Sequence, residues 1–320
     1  MDQILTWVPG LDLVPAEETG GPLLVADSWL VEDGRVRGLE WHRRRFTAGC
    51  ADAADVPEAM VAAFWRAVIN RLPRHGDLFP RVELIGGPEV QLRLRIRPAP
   101  QRGTRIRIWV PPGEDPRHTP RRKGPDLDVL GGLRSAAMDA GADDALLTTR
   151  SGLVLESGTA SLMWWDNDRL NVPDPSLPIL SGVTTRLIQQ AAAGQHIDVV
   201  HRRSRLEELD GREVWLVNAL HGVRPVTAWV GAPVSAGPAD RAARWQQWWQ
   251  AAAVPLQAAP VFVMTVAGLL AWVSICRADW MGVRCGDRRR RAPATTPGPG
   301  PRGTSRRPGA GAAGSPASGV

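Results

Sequence analysis

The chain has 320 residues, room for two compact domains or one large one. Its 43% hydrophobic and 22% charged content is that of a folded globular protein rather than a disordered or fibrous one. The formal charge of +6 sits in the tail: nine Arg and two Asp from Arg277 onward give +7 and leave about −1 on residues 1–276, so no nucleic-acid surface is expected on the body.

Cys50, Cys276 and Cys285 form no CxxC and no ligand spacing, so neither a disulfide framework nor a metal site is expected. The start MDQILTWVPG has no basic region leading into an apolar run. That argues against a secretory signal, and the expected location is the cytoplasm.

In chain order, Leu23–Val31 reads as a strand, Glu32-Asp33-Gly34 as a turn, and Val36–Trp41 as its continuation. His42 to Arg71 carries Phe46, Ala54, Val61, Phe64, Trp65 and Val68 at helical spacing, with Pro57 splitting it into two helices. Val82–Ile85, Val90–Ile96 and Ile106–Val110 alternate and predict strands. These elements make residues 1–110 a small α/β domain. Pro111 to Pro125 holds five prolines and two glycines, which suits an interdomain linker at 111–125.

Residues 126–255 read as a larger second domain. It has a helix Leu127–Ala140 capped by Asp126, and strands Ala145–Thr149 and Leu153–Leu155. A hairpin turns at Asn167-Asp168, followed by a helix Val183–Ala193 and strands Ile197–His201 and Val214–Val217. The helix Ala239–Ala252 bears Trp245, Trp248 and Trp249 as packing anchors. Residues 256–320 differ in kind. Ala258–Cys276 carries no charge over nineteen residues, the minimum for a membrane span, and an Arg/Pro/Gly-rich tail of disordered composition follows. An anchor on the inner face of a membrane is the alternative to a free cytoplasmic protein.

Lys123 is the only lysine among 39 Lys plus Arg. With no Tyr, 33 Gly and 28 Pro, the composition is what a very GC-rich coding sequence produces, and this explains why other lysines are missing. The surviving amine still stands out, because a guanidinium cannot act as a nucleophile or proton-transfer base. Downstream lie the Asp143-Asp144 segment, a Gly152–Ser157 turn and strand that ends in Glu156, and the Leu180–Thr184 turn entering a helix. An amine, a carboxylate and a Gly/Thr helix start are the parts of a pyridoxal phosphate site: imine former, partner of the ring nitrogen, and phosphate cradle.

These motifs resemble the class IV aminotransferases of pyridoxal phosphate fold type IV, which include branched-chain and D-amino-acid aminotransferases and 4-amino-4-deoxychorismate lyase. The resemblance runs from about Leu23 to Pro255, through Trp29–Gly38, His42–Phe46 ("HRRRF", similar to H-x-x-R-[LF]), Glu156, Leu180–Thr184 and Val217–Val226 ("VNALHGVRPV"). It implies a two-domain α/β (mixed α+β) fold with the cofactor in the cleft, and a homodimer. It also implies Lys123 as the Schiff-base lysine, with Arg45, Glu156, Gly182, Val183, Thr184 and Asn218 as cofactor-binding residues and a small amino compound as substrate. Ser161, Ser181, Thr185 (with Arg186 displaced by one) and Ala219 depart from the family pattern. The "NAL" segment and the missing tyrosine favour the lyase, which releases pyruvate and 4-aminobenzoate. An amino-acid aminotransferase and a non-catalytic member of the fold are the alternatives.

Overall fold

The computed structural model describes residues 2–18 and 20–257. The apolar segment and tail discussed above therefore lie outside the described residues. Among the described residues no helix is long and apolar enough to cross a membrane. The first part of the chain runs β1 (Gln3–Val8), β2 (Asp12–Pro15), β3 (Leu23–Ser28), β4 (Val31–Glu32), β5 (Arg35–Val36), α1 (Leu39–Ala54), α2 (Glu58–Arg71), β6 (Asp77–Leu78), β7 (Arg81–Ile85) and β8 (Gln91–Ile96). After these come β9 (Ile106–Trp109), α3 (Leu127–Asp139), β10 (Asp144–Thr148), β11 (Val154–Ser157), β12 (Ser161–Asp166) and β13 (Arg169–Pro173). The chain continues with α4 (Val183–Gly194), β14 (Val199–Arg202), β15 (Val214–Asn218), β16 (Gly222–Val230), α5 (Ala242–Ala251) and β17 (Val254–Pro255).

One sheet is antiparallel, in the order β2-β1-β8-β7-β3. Its apolar face packs on α1 and α2 through Val25, Val82, Leu84 and Leu94 against Phe46, Val61, Phe64 and Val68. The break between those helices falls where Pro57 predicts it: α1 ends at Ala54 and α2 begins at Glu58. The larger sheet is mixed, in the order β11-β10-β9-β16-β15-β12-β13-β14. Ile188 of α4 and Trp245 of α5 pack on it with Met163, Trp165, Trp215 and Val217. A short sheet, β17-β5-β4-β6, ties the end of the second half back to the first.

Three differences from the sequence reading have local causes. The β1–β2 hairpin is an addition, paired through β8 to the edge of the first sheet. Val36–Trp41 does not continue as a strand, because Gly38 turns the chain at φ 60° and α1 starts at Leu39. A Cβ on Gly38 would lie 2.8 Å from Val183 Cγ1, so glycine meets both the backbone and the packing demand. Ile106–Trp109, expected to end the first unit, instead pairs in parallel with β10 and β16 in the larger sheet. Its alternating Ile106 and Ile108 are buried against Leu146, Val226 and Trp229, and alternation alone does not say which sheet a strand joins. The crossing into the larger sheet thus precedes the proline-rich segment 111–125, which is a loop between β9 and α3.

Trp215 is fully buried and sits 5.5 Å from Trp165 and 6.0 Å from Trp245 between ring centroids. Trp215→Ala is expected to cost about 3–5 kcal/mol of folding stability, read from the urea midpoint; an unchanged midpoint would contradict this packing.

Candidate active site

Lys123 lies in the loop between β9 and α3, yet three contacts fix it. Its carbonyl accepts the Ala26 N–H of β3 at 2.7 Å. The next residue, Gly124, has φ +132°, and a Cβ there would come within 2.6 Å of Ala26 N. On the far side Asp126 braces the loop: its carboxylate accepts from His118 N (3.0 Å), Thr119 N (2.8 Å) and Thr119 Oγ1 (2.8 Å). Asp126 does occupy the N-cap position of α3, but its carboxylate makes no cap bond and serves the loop instead.

Lys123, Arg45, Glu156, Gly182, Val183, Thr184 and Asn218 all line one cavity of about 360 Å³. Burial and the Arg45 guanidinium push the Lys123 ammonium pKa down, opposed by Asp27 and Glu156. A lowered pKa enlarges the free-amine fraction at neutral pH, which is what imine formation and proton transfer require.

Glu156 is the next-to-last residue of β11 and is buried. Its Oε1 accepts from Arg117 Nη1 (2.7 Å) and from the Leu180 N–H (2.9 Å). No donor among the described residues is bonded to Oε2, which stays available to a ring N–H. Burial raises the Glu156 pKa, while Arg117 and the Leu180 N–H work against that rise. Arg117 is itself clamped by Asp115 and by the Pro178 carbonyl.

Arg45 is resolved from its neighbours by geometry. Arg43 and Arg44 both pair with Glu40 on the exposed face of α1. Arg45 turns inward: Nε and Nη2 grip Asp27 at 2.8 Å each, and Nη1 donates to the Ser181 carbonyl at 3.0 Å. Asp27 also accepts from or pairs with His42 Nδ1 at 2.8 Å. Burial alone would raise the Asp27 pKa, but Arg45 and His42 outweigh it and hold the carboxylate far below its usual range. A guanidinium has five N–H groups, so Arg45 retains donors for an anion.

That anion has a cradle at the start of α4. Gly182 is the N-cap with no side-chain cap bond, and the first-turn N–H groups of a helix lack intrahelical partners. A Cβ on Gly182 would meet Ser161 Oγ at 2.5 Å and Thr185 Oγ1 at 2.9 Å. Thr185 Oγ1 is buried with no partner in the protein. The residue that departs from the family pattern thus buries its hydroxyl against Gly182 and does not line the cavity. Arg186, one place later, stacks on Trp41 at 4.2 Å.

Asn218 lines the cavity, but its amide is engaged by the protein. Nδ2 donates to the Thr159 carbonyl and Oδ1 accepts from Leu220 N and His221 N. It shapes the β15–β16 turn and fastens it to the Ser157–Ala160 turn. Asp144 is buried and holds that second turn through Ser157 Oγ, Thr159 N and Thr159 Oγ1. Asp143 stays at the surface, bound to Arg107.

Sequence reasoning missed Asp27 and Arg117. Asp27 had a signal: a carboxylate inside the apolar run Leu23–Trp29 needs a buried cation, and His42 and Arg45 share a face at i,i+3. Arg117 had none, being one of several arginines in a loop.

An amine, a carboxylate with one free oxygen and an anion cradle around a single cavity are the fittings of a pyridoxal phosphate enzyme. A class IV aminotransferase family profile matches residues 24–229, and the chain belongs to that family. It is accordingly a pyridoxal-phosphate-dependent enzyme.

Solved structures agree on the fold. A hypothetical aminotransferase from Mycobacterium tuberculosis in its apo form is 21% identical, with 79% of this chain and 98% of that one covered and a TM-score of 0.63. A provisionally assigned 4-amino-4-deoxychorismate lyase from Legionella pneumophila is 15% identical, with 75% and 96% covered and a TM-score of 0.63. The branched-chain amino acid aminotransferase of Escherichia coli is 16% identical, with 81% and 97% covered and a TM-score of 0.66. No curated protein matches the chain by sequence.

Asp27→Asn is expected to weaken pyridoxal phosphate binding about tenfold by releasing Arg45, measured by titrating the visible absorbance of the bound cofactor. Unchanged affinity would remove Asp27 from the site. A second expectation concerns His221, whose pKa is pushed from 6.5 to about 4 by burial, then by Arg224, Arg134 and Arg102. The unfolded chain takes up this proton first, so the stability contribution is complete above pH 6.5 and is lost as pH falls toward about 4. His221→Gln should flatten that part of the stability–pH curve in urea titrations, and an identical curve would refute the assignment.

Proposed function

We propose that this enzyme is a lyase acting on 4-amino-4-deoxychorismate, releasing pyruvate and 4-aminobenzoate. The observation that carries the reading is the cationic wall of the cavity beyond Lys123. Arg97 and Arg134 both line it and neither forms an ion pair with a described residue, while Phe79, Ile106 and Leu220 supply apolar surface. A cyclic substrate bearing two carboxylates suits such a wall, whereas a branched-chain amino acid has one carboxylate and an apolar remainder. The chain also contains no tyrosine, so no phenol reaches the cofactor ring.

When bound, pyridoxal phosphate supplies an electrophilic carbon for the substrate amine and a ring that delocalises the resulting electron pair. Glu156 Oε2 would accept from the protonated ring nitrogen. Arg45 and the start of α4 would hold the phosphate. Lys123 Nζ takes the proton from the substrate carbon that carries the amine. The electron pair left behind expels the neighbouring enolpyruvyl oxygen, the carbon–oxygen bond breaks, and the six-membered ring becomes aromatic. The departing enolate takes up a proton and leaves as pyruvate.

A second reading is an aminotransferase using a dicarboxylic partner, and the same arginines favour it. The Mycobacterium tuberculosis relative has been solved in an "alpha-ketoglutarate and PMP bound form". The proposal carries a homodimer and a cytoplasmic setting with it, the former checked by sedimentation.

The purified protein, given 4-amino-4-deoxychorismate and no keto acid, should release pyruvate, and Lys123→Ala should abolish both this release and the visible cofactor band. Amino transfer from an amino acid to 2-oxoglutarate with no pyruvate from aminodeoxychorismate would select the second reading. A protein with neither reaction and no cofactor band would be non-catalytic.

A further inference from the structure

Arg224, on β16, is 7% exposed and lines both the active-site cavity and a second cavity beside it. Its Nε and Nη2 are buried with no hydrogen-bond partner. A buried guanidinium without an acceptor is costly, and burial together with Arg134 lowers its pKa to about 10. Two carboxylates lie close by, but each is committed elsewhere. Asp143 binds Arg107 through its backbone N–H, Nε and Nη2, and Asp144 accepts from Ser157, Thr159 and Ala145. Neither bonds Arg224.

The surroundings are arranged for an anion that comes from outside the chain. Arg134 lines both cavities along with Arg224, and Arg105 lines the second one. His221 accepts the Gly103 N–H on Nδ1 at 3.1 Å. That bond places the proton of the neutral ring on Nε2, so His221 is a donor. Gly103 lies against the Arg224 side chain, with 3.9 Å from its would-be Cβ to Arg224 Cδ. The loop that orients His221 is thus the one that packs on Arg224.

We propose that Arg224, with Arg134 and the Nε2–H of His221, forms a subsite for a substrate carboxylate remote from the reacting amine, where the two cavities meet. This rests on the reading of the Lys123-lined cavity as the cofactor and amine site, and it assigns Arg224 as the residue that selects dicarboxylic over monocarboxylic ligands. A guanidinium bonding a carboxylate in a dry site is worth about one to two orders of magnitude in affinity.

The test uses the cofactor-loaded protein with glutarate and pentanoate, equal in chain length and differing by one carboxylate, titrated by calorimetry. Wild type should bind glutarate about tenfold or more tightly than pentanoate. Arg224→Met should bring the two within about twofold, and Arg224→Lys should restore part of the preference. The visible cofactor absorbance should be unchanged in both variants. An undiminished glutarate preference in Arg224→Met overturns the subsite, as does equal binding of the two acids by wild type. If Arg224→Met does not fold, Arg224→Lys decides alone: a preference equal to wild type with no change on adding His221→Gln overturns it. Absence of the cofactor band in wild type would instead defeat the cofactor reading. The subsite would then be judged by the same titrations on the cofactor-free protein.

Discussion

The 2.7 Å hydrogen bond from Ala26 N–H to the Lys123 carbonyl is the contact on which the site depends. It joins a strand of the first sheet to a loop that leads into the second half of the chain. Gly124 permits the approach, since any side chain there would strike Ala26 N at 2.6 Å and φ +132° is foreign to L-residues. The adjacent strand residue, Asp27, carries the other half of the arrangement by gripping Arg45 and His42. One dipeptide therefore sets both the amine, through its backbone, and the phosphate-binding guanidinium, through its side chain. Any slip of β3 would displace the two together, and its pairing with β7 from Leu23 to Ser28 opposes such a slip.

Charge is handled in the same economical way around the cavity. Asp27 is buried, but the Arg45 guanidinium and the His42 ring hold it ionised. Glu156 is buried with Arg117 on one oxygen, and the other oxygen is left for the ring nitrogen. Arg117 serves as a fixed counter-charge that resists protonation of Glu156 in a dry site. Arg224 departs from this pattern, with Nε and Nη2 buried and unbonded, and that departure is what marks it as awaiting a ligand.

Much of this was legible in the sequence because the chemistry needs particular residue types at particular places. A lone amine, a strand ending in a carboxylate, an H-x-x-R on a helix and a Gly/Thr helix start each have a physical reason to be where they are, and the structure brings them to one cavity. The helix pair around Pro57 and the tryptophan-bearing helix α5 were legible for similar reasons: a backbone break and an amphipathic stripe. What stayed hidden depends on pairings between distant segments. Nothing in Ile106–Trp109 says that it joins β16 rather than β8. Nothing in an arginine-rich loop singles out Arg117. Asn218 looked like a ligand because of its neighbours, yet its amide is engaged by the turns on either side.

The phosphate turn shows how little displacement is needed to change a side chain's role. Successive positions on an α-helix are rotated by about 100°, so an arginine moved from the third to the fourth residue of α4 leaves the cradle. Arg186 accordingly lies over Trp41 at 4.2 Å, on the outer side of α1 near Arg44, which also approaches that ring. Thr185 takes the third position and buries its hydroxyl beside Gly182, outside the cavity lining and with no partner among the described residues. The first-turn N–H groups of α4 can donate hydrogen bonds to a phosphate but bring no full charge. The charge must then come from Arg45, held by Asp27 from across the cavity. The departure at Thr185 and the buried Asp27–Arg45 pair are thus two sides of one arrangement: the turn supplies neutral donors, and α1 supplies the cation.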